Sequence, residues 1–530
     1  DAKSKEDPKR VVDIAPAKHA QELEEAVKKV RTSTHRALTR LLQQNRQDHY
    51  DRYFDAVARA YDPHSDYMAP ASKEDFDIQM SGSLEGIGAL LREDEGLIKV
   101  IRVIPGSAAA KQGQLHAEDT ILSVAEKNGD LVDTSEMRIR EAVSYIRGPK
   151  GTEVRLTVQK PDGRKMVIPI IRDVVQIEET YVKGTTLRTD DNQPVGYLRI
   201  PSFYRDFAAE AGGQAPRNVT DDTIRELARL KKQRISGLIL DLRNNGGGAL
   251  TDAVQISGLF LPGGPVVQVK DSQGTIKVLE DDDASVHYDG PMIVLVNQFS
   301  ASASEILAAA LQDYGRALIV GGEHTHGKGT VQAMLDINRN LPLLRLQNHE
   351  DLGALKLTIQ KFYRVSGGST QYKGVEPDLV VPSLLDYLQS GEKHMDYSLP
   401  WDQVDKVDFV RWPGYRFDVD RARREGESWI EKNPLFKKIR EETAKAKARS
   451  EQTILLVSLQ GMWKDREEMA ATRKEAQAIG LLQADDEEGA TKPEEKRPLE
   501  ETLATDPVVQ VSLYLMDDLP RPGGRGGLSE

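Results

Sequence analysis

The chain has 530 residues, 39% of them hydrophobic and 29% charged, with a net charge of −12 and no cysteine. That length suits about three or four globular domains. The acidic balance offers no basic face for nucleic acid, and the missing thiols exclude a cysteine nucleophile, disulfides and Cys-ligated metals while permitting an oxidising compartment.

The sequence opens at Asp1 without an initiator Met, which suggests a start inside a longer precursor, with any signal peptide outside the residues in hand. Residues 17–47 read as an amphipathic helix. Leu23, Val27, Val30, Thr34, Ala37 and Leu41 recur at alternating spacings of four and three, and packing against a domain is the expected fate of that stripe. Asp62-Pro63-His64-Ser65 then breaks the pattern.

Residues 81–175 form a β-rich module. Glycines punctuate short apolar runs at 87–91, 98–104, 120–124, 154–158 and 166–170, with one helix-like stretch at about 136–147. Residues 195–321 alternate strand and helix. The runs 238–240, 292–296 and 317–320 read as strands and 250–260 and 303–314 as helices, a pattern of parallel βαβ units. The acidic run 280–283 reads as a solvated loop. Beyond about 385 the chain is charged and helix-prone, with Lys437-Lys438-Ile439-Arg440 as a solvated helix face. The stretch 483–496 is acidic and free of aromatics, the composition of a mobile segment, and the last Pro-Gly-Gly-Arg-Gly-Gly reads as a flexible tail. No run of about 18 apolar residues occurs, so no membrane span is expected.

Three segments carry the chemistry. Ser302 falls where the strand at 292–296 has ended and the next helix begins. That places it at the carboxyl edge of a parallel sheet, near the positive end of a helix dipole. Ser302-x-x-Glu305 is equally a capping box, and Ser300 and Ser304 compete for any nucleophilic role. Lys328 lies between Gly327 and Gly329, small neighbours that let a loop approach another backbone closely. It can act as a base only if its amine is neutral near pH 7, which burial can bring about. No phosphate-loop pattern surrounds it. Gly246-Gly247-Gly248 follows a strand and can aim backbone N–H groups at a negative oxygen, or simply make a tight turn. Gln332 either orients the amine or is an ordinary strand residue. Asp313 shares a helix face with Ser302 but lies about 16 Å along the axis, so it reads as structural. His324-x-His326 has no third ligand nearby and is weak evidence for a metal; none is expected. Asn218-Val219-Thr220 matches a glycosylation sequon.

Together, Leu-Asp-Leu-Arg-Asn-Asn-Gly-Gly-Gly at 240–248, Ser-Ala-Ser-Ala-Ser-Glu at 300–305 and Gly-Lys-Gly-Thr-Val-Gln at 327–332 resemble the carboxyl-terminal processing proteases. Supporting stretches are Gly82–Gly88, Ile146–Gly151, Thr358–Tyr363 and Gly374–Asp378, and the resemblance covers about 62–415. It implies a multidomain α/β fold: an N-terminal helical region at 1–80, a PDZ domain at 81–178, a crotonase/ClpP-like protease core at 179–385 and a C-terminal helical region at 386–530. It further implies Ser302 as nucleophile, Lys328 as general base, Gln332 as its support, and the amides of Gly248 and Ala303 as the oxyanion hole. Asp313 and Glu305 would be structural support. Leu84, Gly86, Ile87, Gly88 and Ala89 would bind the substrate tail. The family usually separates nucleophile and lysine by 25 positions, whereas here the gap is 26, with Gly321-Gly322-Glu323-His324 one residue longer than usual.

The expected activity is that of a bacterial periplasmic serine endopeptidase, cofactor-free, that degrades or processes proteins with apolar C-termini, with an adaptor protein as a further candidate partner. Two alternatives stand beside it: a non-catalytic PDZ scaffold with a degenerate crotonase-like domain, and a Ser–Lys amidase or esterase acting on small molecules.

Overall fold

The computed structural model describes residues 20–94, 96–127, 129–213, 215, 217–340, 351–454, 458–478 and 499–517. The acidic stretch 483–496 and the Gly-rich final residues lie outside them.

The centre is a six-stranded sheet ordered Lys183–Arg188, Pro194–Arg199, Gly237–Asp241, Met292–Val296, Leu318–Gly321 and Leu379–Val380. The first pair is antiparallel and every later pair parallel. Gly237–Asp241 and Met292–Val296 are buried along their whole length, which is why they read as continuous apolar runs. Leu238, Leu240 and Leu242 face a core shared with the helices Leu250–Gly258 and Ala303–Asp313. Ile239, Ile293 and Leu295 face the opposite way, onto Ile430, Phe436 and Leu515 of the C-terminal region. Both faces of the sheet are thus covered, one by helices threaded between the strands and the other by helices that follow them in sequence.

An antiparallel sheet abuts this core. Ala354–Tyr363 pairs with Asp66–Met68, Gly264–Asp271 and Thr330–Asp336. Ile276–Asp281 pairs with Gly264–Asp271, Asp281 standing opposite Gly264 and Glu280 opposite Pro265. The expected solvated loop at 280–283 is therefore in its first half the end of a strand; its polar sequence hid the pairing, which is set by the partner strand and not by burial of both faces.

Residues 83–176 enclose a core of their own, built on Ile98, Ile121, Leu156 and Ile168. Five antiparallel strands run in the order Ala89–Asp94, Leu97–Val103, Thr120–Glu126, Glu153–Gln159, Lys165–Ile171. Burial alternates strictly along Glu153–Gln159, as a half-covered strand requires. Among the described residues Ala89–Asp94 has a strand partner on one side only, and its other edge is open.

The expected helix at 17–47 is two helices, Ala20–Leu42 and Arg46–Arg59. Asn45 breaks it: its side chain accepts from Asp48 N at 2.9 Å while Asp48 accepts from Asn45 N at 2.8 Å, a reciprocal cap that starts a new helix. The first helix has no buried residue, so its apolar stripe does not pack on a domain as expected. Its contacts are polar, Arg40 with Glu93 at 3.5 Å and Gln43 with the Glu136 carbonyl at 3.1 Å, the latter from the turn just past the helix.

Candidate active site

Ser302 is the first residue before the helix Ala303–Asp313, at the carboxyl end of Met292–Val296. Its backbone has φ +55° and ψ −113°, a conformation costly for any residue with a Cβ and found where the surroundings enforce it. The enforcement is visible on both sides. Ser300, fully buried, donates its hydroxyl to the Leu242 carbonyl at 2.8 Å, and Ser304, also fully buried, donates to the Asn245 carbonyl at 2.9 Å. These two serines bind the Ser302 turn to the glycine turn, so their hydroxyls have structural partners. Ser302 is the one of the three that is partly exposed.

The glycine turn fits under Ser302 because it has no side chains. A Cβ on Gly247 would lie 2.8 Å from Ser302 Cβ, and one on Gly248, at φ +143°, would lie 2.2 Å from the Phe203 carbonyl oxygen. Phe203 N donates to Gly247 O at 2.9 Å and Ala249 N to Phe203 O at 2.8 Å, while the N–H of Gly248 between them has no backbone acceptor among the described residues. Ala303, the first helical residue, also has an N–H with no intrahelical partner. Two free amides flanking a serine at a helix N-terminus are the donors an oxyanion needs.

Glu305 unites the site. It is completely buried and accepts four hydrogen bonds: from Ser302 N at 2.7 Å and Lys328 N at 3.0 Å on Oε2, and from Gly327 N at 2.7 Å and Thr325 Oγ1 at 2.5 Å on Oε1. One carboxylate oxygen therefore holds the backbones of both Ser302 and Lys328. Burial pushes its carboxyl up to about 7, against the four hydrogen bonds, which favour the ionised form. The expected support role of Glu305 is thus a tie between two loops as well as a helix cap.

Lys328 has a largely desolvated amine. Burial, with the nearby Lys356 ammonium, lowers it to about 8 from the ordinary 10.5, while Glu392, Glu305 and Asp62 pull the other way. Among the described residues its amine makes no hydrogen bond or ion pair, and none joins it to Ser302 Oγ or to Gln332. Catalytic contacts of this kind are commonly long until substrate is bound. Gly329 is as confined as the sequence suggested: a Cβ there would sit 2.7 Å from Ser369 Oγ.

Gln332 lies on the strand Thr330–Asp336, where a bulge falls between Val331 and Gln332; such bulges re-aim side chains near active sites. Its amide N–H groups go to Thr330 Oγ1 at 2.9 Å and Thr358 Oγ1 at 3.1 Å. Asp313 is far from the chemistry: it grips Arg364 through two bonds of 3.0 and 2.7 Å, clamping the helix to the antiparallel sheet. His324 Nδ1 lies 2.6 Å from the Thr325 carbonyl and His326 Nδ1 3.8 Å from Glu392. Among the described residues no three His, Asp or Glu side chains gather as a metal site. Asn218 caps the helix Val219–Lys232, its side chain accepting from Asp221 N at 2.8 Å. Asp62, read from sequence only as a break, is buried beside Thr358.

The tail-binding candidates lie on another loop. Leu84 and Gly86 are in the strand Ser83–Gly86, paired with Asp173–Gln176. The carbonyls of Ile87 and Gly88 accept from Ala109 N at 2.8 Å and Ile104 N at 2.9 Å, while the amides of Ile87 and Gly88 have no backbone acceptor among the described residues. Ala89 begins the open-edged strand, and the helix Ile139–Ile146 lies alongside.

Comparison with known proteins gives a consistent pattern. Residues 194–381 match the model of peptidase family S41, 75–159 a PDZ domain, 4–71 a tail-specific protease N-terminal domain and 385–520 a C-terminal domain of tail-specific protease. A protein of Haemophilus influenzae described as a tail-specific protease is 41% identical over 375 residues, covering 71% of this chain and 51% of its own, so the chain spans about half the length of that relative. A carboxyl-terminal-processing protease of Picosynechococcus is 31% identical over 340 residues, covering 64% of this chain and 74% of its own. Among solved structures, a photosystem II D1 C-terminal processing protease matches at 25% identity with a TM-score of 0.36, covering 64% of this chain and 83% of that one.

Proposed function

The chain belongs to peptidase family S41, the carboxyl-terminal-processing proteases, and on that premise we propose that it is a serine endopeptidase in which Ser302 is the nucleophile and Lys328 the general base. Ser302 Oγ attacks the scissile carbonyl as the neutral Lys328 amine takes its proton. The amides of Gly248 and Ala303 receive the oxyanion. The lysine ammonium then protonates the leaving amine, and water, activated by the same amine, releases the acyl group. The observation that carries this reading is the single Glu305 oxygen accepting from both Ser302 N and Lys328 N. It keeps a strained serine and a low-pKa lysine in one place although their loops are 26 residues apart.

Substrates are selected by their C-termini. The free amides of Ile87 and Gly88 receive the tail's carboxylate, and the tail adds as a strand to the open edge of Ala89–Asp94, the PDZ mode of recognition. Apolar side chains of the tail fit the apolar residues Leu84, Ile87 and Ala89. The site of action is the bacterial periplasm, consistent with a cysteine-free chain; among the described residues no helix is long and apolar enough to cross a membrane. An adaptor protein that delivers substrates belongs to the same reading.

One folded reporter with and without an apolar C-terminal tail tests it. The tailed form is degraded and the untailed form persists. Amidating the tail weakens binding by roughly 1 kcal/mol or more, about fivefold in Kd, the worth of a charge-assisted hydrogen bond. Equal degradation of free and amidated tails would reduce the PDZ domain to a spacer. Substitution at Gly88 does not serve as this test, since a Cβ there would lie 2.2 Å from Ser107 Cβ and the variant would misfold locally.

A further inference from the structure

The surroundings of Lys328 extend beyond residues 194–381. The segment 62–66 reaches the base loop by two hydrogen-bonded routes. On the first, Gln332 Nε2 donates to Thr358 Oγ1 at 3.1 Å and Thr358 Oγ1 donates to Asp62 Oδ1 at 2.7 Å. Nε2 also donates to Thr330 Oγ1 at 2.9 Å. The amide plane of Gln332 is thereby fixed, and among the described residues its Oε1 is left free to accept. On the second, His64 Nε2 faces Glu392 Oε2 at 2.8 Å. Glu392 Oε1 accepts from Gln371 Nε2 at 3.0 Å, and Gln371 Oε1 accepts from Gly329 N at 2.7 Å, next to the lysine. The end of the segment matters too: Asp66 pairs with Lys356 at 2.8 Å, and Lys356 is the cation that bears most on Lys328.

Asp62 is the hub. It is 6% exposed, and a carboxylate so placed is costly unless its oxygens are filled. Its oxygens accept from His64 N at 2.9 Å, Ser65 N at 3.0 Å, Ser65 Oγ and Thr358 Oγ1. Burial opposes its ionisation, and these donors nonetheless hold it below the ordinary carboxylate value. A turn-capping role accounts for the two backbone bonds. It does not account for the bond to Thr358, a residue 296 positions away whose hydroxyl also receives Gln332.

We propose that Asp62 is a positioning residue of the catalytic base: through Thr358 it locks the Gln332 amide so that its oxygen accepts from the Lys328 amine and aims the nitrogen lone pair at Ser302. The proposal rests on the reading of Lys328 as base. A neutral amine has two N–H groups and one lone pair, so the direction of the lone pair is set by where the N–H groups are held. A glutamine free to flip would offer its own N–H groups instead and turn the lone pair away from the serine. The charged and titratable groups facing Lys328 are Lys356, Glu392, Glu305 and Asp62, with His326 beside them.

Three variants test this in the full chain, by kcat, KM and pH profile on a tailed reporter, with thermal unfolding of each and Ser302→Ala as control. Thr358→Val removes the relay hydroxyl at similar shape, and Asp62→Ala removes its anchor. Both are expected to lower kcat tenfold or more with KM within about twofold, the signature of misplaced catalytic groups. Asp62→Asn keeps an oxygen that accepts the Thr358 hydroxyl, so it recovers most of kcat. It also removes a negative charge near the amine, so its acid limb moves to lower pH, whereas that of Thr358→Val stays in place. The proposal is overturned if Thr358→Val and Asp62→Ala fold and keep kcat within twofold, or if Asp62→Asn is no better than Asp62→Ala. It is also overturned if lost activity merely follows the unfolded fraction. Hydrolysis that survives Ser302→Ala would instead overturn the site assignment, and the relay with it.

Discussion

Ser302→Ala is expected to give a folded protein that still binds tails and has lost at least about a thousandfold in proteolysis, as removal of a serine nucleophile does elsewhere. Three serines alternate in the motif, and their hydrogen bonds separate their roles. Ser300→Ala and Ser304→Ala each remove a hydroxyl bonded to a buried carbonyl of the glycine turn. They should lower stability by about 1 kcal/mol each and retain activity in the folded fraction. Reporter cleavage, tail binding and thermal unfolding on the three variants decide the matter. Cleavage by Ser302→Ala would remove the nucleophile assignment, as would a folded but inactive Ser300→Ala or Ser304→Ala.

Lys328→Arg should be as inactive as Lys328→Ala, because a guanidinium keeps its proton at any working pH. On the proposed reading the working forms in the unsubstituted protein are a neutral Lys328 and an ionised Glu305. Lys328 titrates at about 8, so its deprotonation alone should raise kcat/KM roughly tenfold from pH 7 to pH 9, and about twentyfold together with the ionisation of Glu305. Glu305 titrates at about 7, and below that pH it loses its charge as well. The acid limb should therefore steepen below neutrality, because two groups leave their working forms together. The same desolvation has a stability sign. Below about pH 8 the folded state carries an ammonium that the unfolded chain solvates better. Lys328→Met should thus be more stable than the unsubstituted protein at neutral pH, and the advantage should shrink as pH rises from about 8 toward 10.5. Full activity in Lys328→Arg, or a pH profile flat from 6 to 9, would rule out the base role.

The strand Met292–Val296 and the helix starting at Ala303 were legible because an unbroken apolar run and an alanine-rich one that follows a capping box need no partner to be recognised. So was the neighbourhood of glycine turn, serine and lysine, since each sits at a junction of elements. The second helix at Arg46 was signalled by Asn45-x-x-Asp48, a cap that periodicity alone passes over. The strands Gly264–Asp271 and Ile276–Asp281 were not legible, since their polar residues are accounted for only by the strands they pair with. Nor were the partners of Glu305 and Asp62: buried carboxylates draw donors from positions up to hundreds of residues distant, and local sequence holds no trace of such meetings. The exposed stripe on Ala20–Leu42 shows the converse, a periodicity that was real without the burial it usually predicts.

The open edge of Ala89–Asp94 has a consequence for concentrated solutions. Its unpaired N–H and C=O groups, which on the proposed reading take a substrate's tail, are equally open to a strand from another copy, the first step of edge-to-edge aggregation. The edge is not uniform. Ala89, Leu90 and Leu91 are apolar, whereas Arg92, Glu93 and Asp94 are charged and engaged with Glu118, Arg40 and Lys99. Charge on the second half discourages a long guest from zipping along the whole strand. What remains is an uncharged stretch about three residues long, which on the proposed reading admits the end of a chain and offers little to an intruding β-strand.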